Sequence, residues 1–187
     1  GAGKDREILL KSSWDSAKIR IPWLLASWTG GIIASYVIGN FEKILENTIV
    51  LVSFIPIIIG MGGNIGTQSS TIIVRGMATG RITMGDEGTT ILKELKTGLI
   101  LGILYGLMLG LFAWVRFLNT EPMIGVVVGL SICSSMIIAT GVGTLTPLVL
   151  RKLDIDPAIA AGPFVTTSID ILGVLLYFLI AGLLLQA

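Results

Sequence analysis

Five apolar runs, each long enough to cross a bilayer as a helix (about 20 residues), are separated only by short polar links, and this pattern leaves few folds open. Lipid offers no partners to backbone amides, so such runs must close their own hydrogen bonds as helices. They predict helices at about 22–40, 48–77, 97–117, 123–150 and 158–185, joined by a polar link at 41–47, a polar loop at 78–96, a short turn at 118–122 and a charged turn at 151–157. Only 13% of residues are charged, about half the share of a soluble domain. The fold class expected is an all-α integral membrane protein with five transmembrane helices per chain.

The charged residues orient this bundle. Eleven Lys and Arg (Lys4, Arg6, Lys11, Lys18, Arg20, Arg75, Arg81, Lys93, Lys96, Arg151, Lys152) fall on one side of a five-span chain, against Lys43 and Arg116 on the other. Short positive loops stay in the cytoplasm. The N-terminus is therefore expected inside and the C-terminus outside, in a multi-pass protein of the cell (inner) membrane. The basic residues belong to loops, and a net charge of +1 gives no reason to expect nucleic acid. No histidine and one cysteine, Cys133, exclude an internal disulfide, His-ligated or paired-Cys zinc and His-based acid–base chemistry within one chain.

Residues 1–20 read as a separate piece. Gly1, Ala2 and Gly3 look like a tag remnant, and residues 4–20 mix charge with Ile8, Leu9, Leu10, Trp14 and Ile19. That mixture fits an amphipathic helix at the membrane surface, or a solvated helix leading in from a soluble domain. Residues 21–187 are then the transmembrane domain. In the third span, Gly98, Gly102, Gly106 and Gly110 recur every four residues, a spacing that lets helix backbones touch.

Two stretches carry polar groups where lipid cannot serve them. The first is FIPIIIGMGGNIGTQSSTIIVRG at 54–76, with Asn64, Thr67, Gln68, Ser69, Ser70 and Thr71 in its middle, and an interruption is expected near Pro56 or at Gly60–Gly63. Such a segment should face protein or a water-filled path. The second is FVTTSIDILGVLLYF, in which Asp170 lies seven residues beyond Pro163. Every other acidic residue falls in an expected loop or end. A carboxylate at that depth costs at least ~2.5 kcal/mol, with no Lys or Arg at its level to offset it. Either Asp170 is protonated and hydrogen-bonded, or it is ionised in a wet path that cations visit. Oxygen donors without nitrogen or sulfur suit a hard cation such as magnesium, calcium or manganese. One carboxylate per chain is too few for a divalent ion, but a two-fold homodimer would bring two together. Magnesium sheds water reluctantly, so a filter of Asp170 carboxylates, Asn64 amides and backbone carbonyls such as Gly60 would grip its water shell.

The phrases RIPWLL, GMGGNIGTQSSTIIVRGMATGRI and LDIDPAIAAGPFVTTSIDILGVLLYF resemble, in order and over nearly the whole chain from about residue 20, the transmembrane domain of MgtE-type magnesium channels. The resemblance implies a homodimer of ten helices around an axial pore lined by the second and fifth spans. It implies hydrated magnesium as the transported ion, with manganese, cobalt and calcium as further candidates. By motif position it assigns the ion contacts to Asp170, Asn64, the Gly60 carbonyl and the Thr166 carbonyl. The family also carries cytoplasmic regulatory domains with paired CBS modules ahead of its first span, and only residues 4–20 precede it here.

Enzyme readings fail on the residues. GMGGNIGTQ lacks the lysine of a phosphate loop, a membrane aspartyl protease needs two deep carboxylates, and a serine protease needs a base. The rival readings are a proton- or sodium-coupled cation transporter using Asp170, and a membrane anchor that only dimerises. Asp86, Glu87, Glu94 and Asp154 read as solvated loop acids, with further ion binding as the alternative.

Overall fold

The computed structural model describes residues 12–82 and 87–185, all of whose regular structure is helical. Residues 4–11 of the expected surface helix, and Asp86, lie outside the described residues. Helix α1 (Ser13–Gly39) begins where the Ser12 hydroxyl accepts the Asp15 N–H at 3.3 Å and donates to the Asp15 carboxylate at 2.7 Å. This is a helix cap, which satisfies an amide left free in the first turn. The helix passes through Pro22 without ending, so the expected join between a connecting helix and the first span lies inside one continuous helix.

A short helix α2 (Glu42–Asn47) and a 3₁₀ helix (Ile49–Phe54) lead into α3 (Ile55–Ala78). Pro56 stands in the first turn of α3, where its missing N–H costs nothing. The change of helix type therefore falls at Phe54–Ile55, beside Pro56, and α3 runs unbroken through Gly60–Gly63. The Tyr177 hydroxyl, fully buried, donates to the Leu51 carbonyl at 2.9 Å and satisfies the tighter 3₁₀ segment from inside the bundle. Gly80, at φ +69°, closes α3 by letting the Arg81 and Ile82 amides turn back onto the Gly76 carbonyl at 2.9 and 3.1 Å.

Helix α4 (Glu87–Arg116) starts ten residues before the expected 97, so the second half of the expected loop is helical. Helices α5 (Met123–Lys152) and α6 (Pro157–Leu185) follow close to expectation. Five of the helical segments are long and apolar enough to span a membrane. Helix α5 is the most enclosed and packs against α3, α4 and α6, while α1 lies on α6.

The four-residue glycine stripe of α4 is a backbone seam against α5. Gly98 faces Thr140, Gly102 faces Cys133, Gly106 faces Gly129 and Gly110 faces Gly125. A Cβ added at Gly106 would stand 2.6 Å from the Gly129 carbonyl, so no larger residue fits without parting the helices. The outward face of α4, with Leu107, Met108, Leu111 and Val115 exposed, suits lipid.

Candidate functional site

The 3.6-residue period divides α3 into two faces. Ile58, Gly62, Ile65, Gly66, Ser69, Ser70 and Ile73 are buried against the bundle. Gly60, Asn64, Gln68, Thr71 and Arg75 are exposed. Glycines make the buried face thin. Gly62 approaches Ser135 and Ile169, Gly66 approaches Val165 and Ile169, and a Cβ on Gly143 would meet the Gly66 backbone. Of the polar stretch expected to face protein or a water-filled path, Asn64, Gln68 and Thr71 thus sit with Gly60 on the side of α3 turned away from its own bundle, Thr67 is half-buried, and Ser69 and Ser70 face inward.

Gly60 and Asn64 are one turn apart on that exposed face, about 6 Å along the helix. A Cβ at Gly60 would meet nothing within 4 Å. No helix break frees the Gly60 carbonyl, contrary to expectation. Gly60 is an exposed residue inside a continuous helix, where a carbonyl still has a second lone pair to offer once the helical bond is made. The Asn64 side chain is exposed and has no hydrogen bond among the described residues. Thr67 and Thr71 turn their hydroxyls onto helix carbonyls instead, Thr67 to Gly63 and Asn64 at 2.9 Å each, and Thr71 to Thr67 at 2.8 Å.

On α6, Thr166 and Asp170 are likewise one turn apart and both half-buried. The Thr166 hydroxyl donates to the Gly162 and Pro163 carbonyls at 3.2 Å each, which spends its proton and leaves oxygen lone pairs on the hydroxyl and on the backbone carbonyl. Among the described residues, Asp170 has no hydrogen-bond or ion-pair partner. Its neighbour Ile169 fills the space over Gly62 and Gly66, which places Asp170 beside the seam of α3 with α6. The two pairs lie on helices that touch, yet no hydrogen bond joins them among the described residues.

The other acids divide differently from expectation. Glu94 is no loop residue. It is helical, 7% exposed, and its carboxylate accepts the Ser69 hydroxyl at 2.8 Å. Glu87 is paired with Lys152 at 3.2 Å, tying the start of α4 to the end of α5. Asp154 is exposed at φ +56° in the turn after α5. Among the described residues no cluster of three or more His, Cys, Asp or Glu exists that could hold a metal within one chain. Asp170 therefore belongs to no such cluster within the described residues.

Comparison with known proteins adds to this geometry. The MgtE family, described as a divalent cation transporter, matches residues 55–180, which takes in α3 to α6 and all four candidate residues. The chain is 37% identical over 169 residues to the magnesium transporter MgtE of Thermus thermophilus, covering 90% of this chain and 37% of that protein. It is 35% identical to the magnesium transporters MgtE of Enterococcus faecalis and Bacillus subtilis, over 99% and 96% of this chain and 40% and 39% of theirs. The chain thus spans about two fifths of the length of these relatives.

Proposed function

The chain belongs to the MgtE family of divalent cation transporters, and from that premise we propose that it is a channel domain conducting hydrated magnesium along the axis of a homodimer. The observation that carries the reading is the uncovered polar face of α3, where Gly60, Asn64, Gln68 and Thr71 are exposed within a membrane-spanning segment. The Thr71 hydroxyl is satisfied by the Thr67 carbonyl, but the side-chain amides of Asn64 and Gln68 cannot rest against hydrocarbon, so this face needs protein or water. A second copy, related by a two-fold axis along α3 and α6, supplies both, with ten helices around a wet path.

In that arrangement each residue has a role. Two Asp170 carboxylates offset the charge of one divalent ion and accept hydrogen bonds from its water shell. Asn64 amides and the Gly60 and Thr166 carbonyls bind the same shell. The chain's own work is to position oxygen acceptors, and no bond is made or broken, so no catalytic role is assigned. Manganese, cobalt and calcium are the further ions this set of donors could pass. The positive-inside rule puts the N-terminus in the cytoplasm and the C-terminus outside. The relatives' length outside the matched region leaves room for the regulatory domains that the resemblance implies.

Asp170→Ala is expected to abolish magnesium flux into liposomes while leaving the dimer intact on size-exclusion chromatography. Undiminished flux would remove Asp170 from the path. Discrete current steps in a planar bilayer are expected, and dependence of flux on a proton or sodium gradient would favour coupled transport instead. In a Cys133→Ser background, Asp170→Cys chains are expected to crosslink to one another with a short bifunctional thiol reagent. Failure there would place α6 away from the axis.

A further inference from the structure

Glu94 is a second carboxylate at the heart of the bundle, and the ion path described above does not use it. It stands four residues before Gly98, so it continues the stripe along which α4 meets α5 at backbone distance. That seam makes α4 and α5 a rigid pair. Helices α3 and α4 do not pack along their length, and both rest on α5. The Glu94 carboxylate nevertheless reaches Ser69 on the buried face of α3, at 2.8 Å, with both side chains almost fully enclosed. About one turn away on the same face of α3, Gly66 crosses Gly143 of α5 so closely that a Cβ on Gly143 would meet the Gly66 backbone. The glycine crossing fixes a distance, and the apolar contacts of Ile58, Ile65 and Ile73 beside it are non-directional. The buried hydrogen bond adds a directional contact to them. Ser69 is adjacent in sequence to Gln68, which lies on the exposed face with Asn64 one turn earlier.

We propose that Glu94 is a positioning residue, which holds α3 through Ser69 in the rotation that turns Gly60, Asn64 and Gln68 toward the ion path. The inference rests on the pore reading of α3. It needs an oxygen acceptor at Glu94, not a charge. Rotation of α3 by even part of a turn would move the Asn64 amide away from the ion's water shell, weakening ion capture while the bundle stays folded.

The test uses Glu94→Leu, Glu94→Gln and Ser69→Ala in liposomes, with magnesium as the probe. Loss of one buried hydrogen bond is expected to raise the half-saturating magnesium concentration about tenfold in Glu94→Leu. Glu94→Gln keeps an acceptor and is expected to stay near the parent value. Ser69→Ala should match Glu94→Leu, and the double variant should be no worse than either, because both remove one contact. If Glu94→Leu does not fold, Ser69→Ala, a smaller change, carries the same expectation. A separate readout follows α3 itself. In a Cys133→Ser background a water-soluble maleimide should label Gln68→Cys quickly and Ser70→Cys slowly, and Glu94→Leu should erase that contrast. Two results overturn the proposal: Glu94→Gln as impaired as Glu94→Leu, or an unchanged half-saturation and labelling contrast in a folded Glu94→Leu or Ser69→Ala. Erased contrast in a protein whose flux ignores Asp170→Ala would sink the pore reading and leave the mechanical role of Glu94 standing.

Discussion

Ser135 shows how local chemistry sorts the polar residues of this bundle. Its hydroxyl is buried where α5 meets Gly62 of α3 and Gly173 of α6, and among the described residues it has no hydrogen-bond partner. Its neighbours on α5 behave differently: Ser131 donates to Val127 at 2.7 Å and Thr144 to Thr140 at 2.7 Å. An enclosed hydroxyl without a partner is a cost, and its small volume is what the crossing of three helices needs. Ser135→Ala keeps the volume and removes the orphan. Its thermal unfolding in detergent is expected to be unchanged or raised by up to ~1 kcal/mol, and a clear loss of stability would mean that the hydroxyl has a partner in the bilayer. Asp170 presents the reverse case, a carboxylate without a partner among the described residues that is only half-buried and so accessible from outside the bundle.

Elements were legible in the sequence where one rule governed them, and illegible where two competed. Hydropathy placed α5 and α6, because Asp170 is the one charged residue within 123–150 and 158–185 and a single one does not end an apolar run. It placed the start of α4 late, because Glu87, Lys93, Glu94 and Lys96 read as loop charge, whereas Glu94 is turned inward to Ser69 and Glu87 pairs with Lys152. The signal was present: the four-residue glycine spacing, extended backwards from Gly98, lands on Glu94. The continuous path of α3 through Gly60–Gly63 was hidden for another reason. Glycines that mark a helix break also mark close packing, and only the approach of α5 and α6 to Gly62 and Gly66 distinguishes the two. The α4–α5 seam follows its spacing closely and yields a paired prediction. Gly106→Leu, facing the Gly129 carbonyl, is expected to destabilise by ~1–3 kcal/mol or more in thermal unfolding. Gly31→Ala, with nothing within 4 Å of the added Cβ, should cost nothing measurable. Equal effects would show that the seam is not as close as described.

For the whole molecule, the bundle has two kinds of outer surface. Around α4 it is hydrocarbon-like, with Leu107, Met108, Leu111 and Phe112 outward. Along α3 it presents Asn64, Gln68 and Thr71 within a span. Depth and polarity were both readable from the sequence, but which way each residue turned was not, since that depends on where neighbouring helices press. The bare face of α3 carries a consequence for mass action. A solitary chain would hold those amides against lipid, so association and folding should draw on the same free energy. The unfolding temperature is accordingly expected to fall as the protein is diluted with lipid at fixed temperature ramp, whereas a self-sufficient bundle would unfold at the same temperature at every dilution. Abundance in the membrane would then set how much of this protein is competent at all.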